Sequence, residues 1–211
     1  MEAKRNYFSR FFFLSNEDLI EILGDSQKPK SIQKHLKKCF EGINKVVFKA
    51  AVRDARHLVR DQKEEEITHI VSKELEKVEL KTYIQPYEYD GKVEEWLYEL
   101  ELSMKESIQK IIVEGLKDYP TAAIEEAADH LSQSTSHLYN ERIRWLRSWP
   151  SQVILVVSSI VWTRQVEQSL SNNQMLVKLY QQSQAQLNQV VNMVREKMPD
   201  LLRLTLSSLI V

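Results

Sequence analysis

The segment that decides the fold is RIRWLRSWPSQVILVVSSIVWTRQVEQSL, residues 142–170, which holds three of the four tryptophans of the chain. Within it, residues 153–162 include eight apolar residues, a run too short to cross a bilayer, because a spanning helix needs roughly 20. Pro150, just before the run, favours a helix over a strand. A helix that is apolar on nearly all sides must be surrounded by protein. We therefore expect it to form the centre of a core.

Tryptophans stand at both ends of this helix, at positions 145, 149 and 162. They could form an aromatic cage for a ligand or a hot spot for a partner, or they could anchor the core. Because Trp145, Trp149 and Trp162 border an apolar helix, we predict core anchors. On that interpretation, Trp162→Ala destabilises the chain by about 3–5 kcal/mol.

Composition limits the class of protein. A chain of 211 residues can form one large domain or two small ones, each with a real core. The formal net charge of −1 does not favour nucleic acid or an acidic membrane as partner. Four glycines and five prolines indicate long helices and few tight turns. Cys39 is the only cysteine and the N-terminus lacks a signal-peptide core, so we expect a soluble chain of a reducing, intracellular compartment.

Residues 1–91 are predicted to form an N-terminal helical subdomain with an inserted β-hairpin. Ser15 and Asp18 have the spacing of a helix-capping box, and Gly24 can end that helix. The next helix has a basic face, which we interpret as solvated, formed by Lys34, Lys37 and Lys38. Residues 46–48 resemble a short strand, and residues 67–84 alternate apolar with polar positions as a hairpin does.

Residues 92–211 are predicted to form a C-terminal bundle of long helices. A helix from 92 to about 118 would be roughly 40 Å long at about 1.5 Å per residue. A weaker helix is expected at 121–131, a flexible link at 132–136 and a last long helix at 174–198. The apolar C-terminal segment lacks a closing cap, so we expect a fragment. The predicted fold class is mainly α, an elongated helical bundle with a small inserted β-hairpin.

The residues give no support of their own for an enzyme. No glycine is followed by Lys-Ser or Lys-Thr, as a phosphate-binding loop requires. His35 and Cys39 are four residues apart on a helix and could ligate a metal, but no second pair has a spacing that would complete a site. Acidic runs such as 64–66 are interpreted as solvated charge. We therefore expect no catalytic residues, no metal and no cofactor.

Four stretches occur together, and in this order, in one known family. RFFFLSNEDLIEIL (residues 10–23), IQKHLKKCFEGI (32–43), VEEWLYELELSM (93–104) and WPSQVILVVSSIVWTRQVEQSL (149–170) resemble the linker domain of dynein heavy chains. The segment IVSKELEKVEL (70–80) is similar to a turn of that family, with Leu75 where glycine is usual. Ser151 likewise replaces a common glycine, and residues 186–211 resemble the part of the linker that leads into the first AAA+ module.

The resemblance implies a mechanical role. In that family the linker lies across an ATP-hydrolysing AAA+ ring, bends and straightens, and so moves the tail relative to the microtubule-bound stalk. The expected partners are the rest of the heavy chain and other dynein subunits, with microtubules contacted indirectly. The expected location is the cytoplasm and cytoskeleton, with an axonemal heavy chain favoured. The structural core of the family motifs would be formed by Phe12, Leu19, Leu36, Phe40, Trp96, Leu97, Trp149, Pro150 and Trp162.

Two alternatives stand beside this interpretation. One is a free-standing helical adaptor that presents the basic face of Lys34, Lys37 and Lys38 to an acidic partner. The other is a hydrolase whose polar residues converge only in the folded chain. If the chain is a lever, the loop after Gly24 and the link at 132–136 are candidate joints.

Overall fold

The computed structural model describes residues 1–50, 65–120 and 134–210. Its helices are α1 (Glu2–Tyr7), α2 (Asn16–Gly24), α3 (Gln33–Cys39), α4 (Val93–Asp118), α5 (Ser134–Ser148), α6 (Ser151–Ser169), α7 (Asn173–Arg195) and α8 (Asp200–Ile210). Three strands are described, namely β1 (Lys45–Ala50), β2 (Glu65–Val71) and β3 (Lys77–Ile84). Short 3₁₀ turns occupy Ser9–Phe13, Pro29–Ile32 and Pro86–Tyr89. The mainly α fold with an inserted hairpin is confirmed.

The chain divides into two compact units, Met1–Gln109 and Lys110–Val211. The division falls within α4, whereas the sequence placed it between residues 91 and 92. The first residues of α4, including Trp96 and Leu97, belong to the core of the first unit. The last turns, including Leu116, pack against the core of the second unit.

The sheet of the first unit contains the predicted hairpin and one further strand. The strands are antiparallel in the order β1-β2-β3. The hairpin β2-β3 covers nearly the residues expected, since Ile67 pairs with Ile84 and Val71 with Lys77. The short strand predicted at 46–48 is β1, which pairs with the other edge of β2. The insert is therefore a three-stranded sheet.

The turn between β2 and β3 is closed by Ser72. Its N–H donates to the carbonyl of Glu76 at 2.9 Å, and its Oγ accepts from the N–H groups of Glu74 and Glu76. Leu75 adopts a φ of +67°, a left-handed conformation that costs a non-glycine residue roughly 1–2 kcal/mol. The chain thus keeps the tight turn although leucine occupies the position where glycine is usual.

Leu75→Gly is expected to stabilise the first unit by about 1 kcal/mol, because glycine adopts a positive φ without strain. Leu75 is 69% exposed, so little packing is lost. A shift of the urea midpoint would measure the gain. Lys73→Gly is the matched control, because Lys73 lies in the same turn without a positive φ, and glycine there should lower stability. The strain argument fails if both glycine variants lose stability equally.

The core of the first unit is built on helices α2, α3 and α4 and the inner face of the sheet. Leu19, Leu36, Phe40, Trp96 and Leu97, all named from the family motifs, are at most 4% exposed. The expectation is wrong for Phe12, which is 62% exposed. In the 3₁₀ turn Ser9–Phe13 only Phe11 faces the core, because three successive residues of a helical turn point in different directions.

The second unit contains the apolar helix on which the fold prediction rested. Pro150 precedes its first residue, as expected, and its carbonyl accepts the N–H of Ile154 at 3.0 Å. One face of α6 is buried, formed by Val153, Ile154, Val157 and Val161. Trp162 is 55% exposed, so its predicted burial is wrong. Successive helical positions are about 100° apart, which turns Trp162 away from the face that buries Val161.

Three further expectations concern chain connectivity and membranes. The helix expected at 121–131 lies outside the described residues. The flexible link expected at 132–136 is replaced from Ser134 onward by α5, and residues 132–133 are outside the described part of the chain. None of the helices described in residues 1–50, 65–120 and 134–210 is long and apolar enough to cross a membrane.

Candidate functional site

The candidate site is built on α4, the longest described helix, with 26 residues. At about 1.5 Å per residue its axis is roughly 39 Å long. Glu94 and Glu95 in the first turn and Lys117 in the last turn complement the helix dipole. Each unit holds its own part of α4 through separate contacts.

In the first unit, α4 is held by ion pairs to the N-terminal segment. Arg10 Nε donates to Glu101 Oε2 at 2.9 Å, and Arg10 Nη1 donates to the carbonyl of Cys39 at 3.2 Å. The same guanidinium lies 5.0 Å from the centroid of the Phe40 ring. Lys4 forms a second pair with Glu94, whose side chain is only 7% exposed. Arg10 therefore connects the turn Ser9–Phe13, α3 and α4.

The Glu101 carboxyl also accepts from Lys105 at 2.6 Å, one turn further along α4. Partial burial acts to raise the pKa of Glu101, but the hydrogen bonds from Arg10 and Lys105 outweigh it, so its pKa lies below the ordinary 4.5. Because the pKa is lowered by folding, the stabilisation is fully present above about pH 4.5. It is lost as the pH falls through the pKa of the folded state.

Glu101→Gln is therefore expected to weaken the dependence of stability on pH in the acid range. The variant should be less stable than the parent chain near neutral pH, and the difference should shrink below about pH 4.5. Urea midpoints measured across the acid range would show it. Glu114→Gln is the matched control in the same helix, because Glu114 is exposed and its ion pair with Lys110 is long, at 3.9 Å, so the pair should contribute little to stability. Equal curves for Glu101→Gln and the parent would contradict the argument.

Two serines on α4 cover the free edge of β3. The N–H of Lys81 donates to Ser107 Oγ at 2.8 Å, and Ser103 Oγ donates to the carbonyl of Thr82 at 2.6 Å. Ser107 is 1% exposed and Ser103 is 4% exposed. An edge strand otherwise presents unpaired backbone groups. The serines thus attach α4 to the sheet through hydrogen bonds of fixed direction.

Ser107→Ala is expected to cost about 1–3 kcal/mol, because it leaves the N–H of Lys81 without its acceptor. Equilibrium unfolding in urea measures the loss. Ser159→Ala is the control, since the Ser159 hydroxyl is exposed and donates only to the Leu155 carbonyl of its own helix. If Ser107→Ala and Ser159→Ala had equally small effects, a water molecule would have to accept the Lys81 N–H in place of the Ser107 hydroxyl.

In the second unit, the last turns of α4 meet the tryptophans of the fold-deciding segment. Trp145 Nε1 donates to the carbonyl of Gly115 at 2.9 Å, and Trp149 Nε1 donates to Asp118 Oδ2 at 2.9 Å. A Cβ at Gly115 would lie 2.5 Å from Val153 Cγ1, so glycine permits the close approach of α6. Trp149 and Pro150, both named from the family motifs, are half-buried here.

His35 and Cys39, the pair that could ligate a metal by their spacing, do not belong to a common cluster of ligands among the described residues. Burial raises the pKa of the Cys39 thiol to about 12, so the thiol stays protonated and is a poor ligand. His35 faces carboxylates of α2 instead. Of the residues that hold α4, the motif analysis missed Arg10, Glu101, Ser103, Ser107 and Gly115. Small polar residues on the apolar face of a predicted helix were the available signal for the two serines.

Comparison with known proteins identifies the family. The chain matches the family described as dynein heavy chain, N-terminal region 2, over residues 1–115. It is 36% identical over 211 residues to dynein axonemal heavy chain 12 of Rattus norvegicus, covering 100% of this chain and 6% of that protein. It is 37% identical over 211 residues to dynein axonemal heavy chain 3 of Homo sapiens, covering 100% of this chain and 4% of that protein.

The chain thus spans only a small part of the length of these relatives. The family match nevertheless covers more than half of the present chain, and each alignment extends over all 211 residues. The chain therefore belongs to the dynein heavy chain family.

Proposed function

We propose that this chain is a segment of the mechanical linker of a dynein heavy chain, the element that acts as a lever. The observation that carries the proposal is the attachment of α4, which is held by polar contacts of fixed direction as well as by apolar packing. Ser103 and Ser107 bind it to β3, and Arg10 binds it to two further elements. An element that transmits displacement must resist sliding, and directional hydrogen bonds resist sliding better than apolar contacts do.

The parent motor is proposed to supply the ATP hydrolysis. The sequence has no match to the motif of a phosphate-binding loop, since no glycine is followed by Lys-Ser or Lys-Thr. The isolated chain is therefore expected to bind no ATP. Isothermal titration that showed saturable ATP binding to it would refute this part of the proposal.

The proposed partners follow from the same role. They are the AAA+ ring and tail of the same heavy chain and other dynein subunits, with microtubules contacted only indirectly. The relatives are named as axonemal heavy chains, which favours the cytoskeleton of a cilium as the site of action. A tagged full-length heavy chain that never entered an axoneme would argue against this location.

The loop after Gly24 is the remaining candidate joint. Its closing contact is the N–H of Lys28 donating to the carbonyl of Asp25 at 2.7 Å, between α2 and the turn Pro29–Ile32. A joint should lose protection against hydrogen exchange in one nucleotide state of the intact motor. Equal protection of this loop and of α2 in every state would remove it from the list of joints.

The lever proposal is tested by breaking α4 in an intact heavy chain. Lys110 is exposed, and proline there removes a helical hydrogen bond and clashes with the preceding turn, a change that costs about 3 kcal/mol or more. Lys110→Pro should slow microtubule gliding while ATP turnover continues, because force is produced but not transmitted. Lys110→Ala, the matched control, should glide normally.

Unchanged gliding with Lys110→Pro would overturn the lever role of α4. Loss of ATP turnover together with gliding would instead show that the change disrupts the motor itself. Circular dichroism of the isolated variant chain establishes that both units still fold, so that the gliding result can be interpreted.

The adaptor alternative is weakened by the surroundings of its basic face. Lys38 Nζ lies 2.6 Å from Asp18 Oδ2, and Lys34 pairs with Glu21. Two of the three lysines that would meet an acidic partner are therefore neutralised within the chain. No observation favours this alternative over the lever.

A further inference from the structure

A histidine and two carboxylates converge between α2 and α3. Asp18 and Glu21 lie one turn apart on α2, and His35 projects from α3 towards them. One potential ligand atom from each of the three lies within 4.8 Å of the other two. His35 is 4% exposed, whereas the Glu21 side chain is 50% exposed, so the cluster has a buried side and a side open to water.

Within the described part of the chain, the imidazole of His35 makes no hydrogen bond. Nδ1 lies 3.6 Å from Asp18 Oδ1 and Nε2 lies 3.2 Å from Glu21 Oε2. Neither contact has the geometry of a hydrogen bond, so among the described residues both ring nitrogens are buried without a hydrogen-bond partner, although each lies at ion-pair distance from a carboxylate. A buried polar atom in this state loses its hydration without gaining a hydrogen bond, and such an atom needs an explanation.

The oxygens that face His35 are not those that bind the neighbouring lysines. Lys38 contacts Asp18 Oδ2, whereas Asp18 Oδ1 is the oxygen nearest the ring. Lys34 contacts Glu21 Oε1, whereas Glu21 Oε2 is nearest the ring. A cation placed beside His35 would therefore meet one oxygen of Asp18 and one of Glu21 that the lysines do not contact, although the Asp18 carboxyl also accepts from the Ser15 hydroxyl.

We propose that Asp18, Glu21 and His35 bind one divalent transition-metal ion, with Zn²⁺ as the best fit. One ring nitrogen and two carboxylate oxygens are ligands that Zn²⁺ accepts, whereas Mg²⁺ and Ca²⁺ prefer oxygen alone. With bonds of about 2.1 Å, tetrahedral ligand atoms lie about 3.4 Å apart, so separations of up to 4.8 Å must contract by as much as about 1.4 Å. The exposed Glu21 side chain can make that movement, and water completes the coordination.

The bound ion would join α2 to α3, two helices of the first unit. The proposal is independent of the lever function, because it concerns the affinity of this chain for a metal and not the transmission of force. It also gives the buried imidazole a bond, where the described carboxylates lie at ion-pair distance without the geometry of a hydrogen bond.

Isothermal titration of the 211-residue chain with ZnCl₂, in a buffer that does not bind zinc, tests the proposal. The parent chain should bind one Zn²⁺ at this site and gain thermal stability with rising Zn²⁺ concentration. Glu21→Gln should weaken the binding by at least about tenfold. Because Glu21 is half-exposed, the variant should fold normally, and circular dichroism checks that it does.

His35→Gln and His69→Gln form the matched pair for the imidazole. His69 lies on β2, where its Nδ1 is 2.8 Å from Thr68 Oγ1, outside the cluster. Co²⁺ added in place of Zn²⁺ should give the visible absorption of a four-coordinate ion in the parent and in His69→Gln, and lose it in His35→Gln. Equal Zn²⁺ affinities for the parent and Glu21→Gln, or no saturable binding to the parent, would overturn the proposal.

Discussion

Trp145→Ala is expected to lower the free energy of unfolding by about 3–5 kcal/mol, the range for truncation of a large buried aromatic residue. Trp145 is 1% exposed, and its ring packs edge to face on Tyr119 with centroids 4.9 Å apart. Its Nε1 donates to the carbonyl of Gly115 within α4. Truncation would therefore create a cavity and also remove a buried hydrogen bond.

Trp162→Ala is the matched control for this prediction. Trp162 is 55% exposed, so its truncation should cost less than about 1 kcal/mol, in contrast to the 3–5 kcal/mol expected from the sequence alone. Urea unfolding followed by circular dichroism compares the two variants without relying on tryptophan fluorescence. If Trp162→Ala lowered the free energy of unfolding more than Trp145→Ala did, Trp162 and not Trp145 would be the buried ring in solution.

The two tryptophans show what periodicity can and cannot establish. The apolar run 153–162 was sufficient to predict a helix and its start at Pro150, because these depend on local sequence. It was not sufficient to choose the buried face, because a nearly uniform apolar run has no polar side to mark the solvent. The run Phe11, Phe12 and Phe13 also has no polar side. The prediction that Phe12 lies in the core is therefore wrong, and only Phe11 of the three is buried.

The contacts that hold α4 cannot be predicted from the local sequence around each residue. Arg10 and Glu101 are separated by 91 residues, and nothing in the sequence near either one identifies the other. The partner of Ser107 is a backbone N–H of β3, which depends on how the sheet lies against α4. Helix and strand periods predict elements, whereas these contacts require the packing of one element on another.

The cluster at His35 illustrates the same limit for a binding site. Within one helix the sequence indicates only partners three or four residues away, and for His35 that residue is Cys39. The structure places the ring against Asp18 and Glu21, which belong to the preceding helix. The sequence shows that Asp18 and Glu21 are three residues apart, but it does not show that His35 lies against them.

Trp96→Ala is the second change with a large expected effect, about 3–5 kcal/mol, and it probes the core of the first unit. Trp96 is 1% exposed and lies with Leu97 and Leu100 on the buried side of α4. Tyr98→Ala is the control in the same helix, because Tyr98 is 41% exposed and, among the described aromatic rings, pairs only with Tyr7, in a T-shaped arrangement. It should cost about 1 kcal/mol or less.

Trp96→Phe separates packing from polarity at this position. The indole Nε1 is buried, and no acceptor for it lies among the described residues, so tryptophan incurs a desolvation cost that phenylalanine avoids. Phenylalanine keeps much of the ring, and we expect a loss of only about 1 kcal/mol. Urea midpoints of the two Trp96 variants give the comparison. If Trp96→Phe were as damaging as Trp96→Ala, the indole N–H would have to bind an acceptor in solution, and Trp96 would contribute through that bond as well as through its volume.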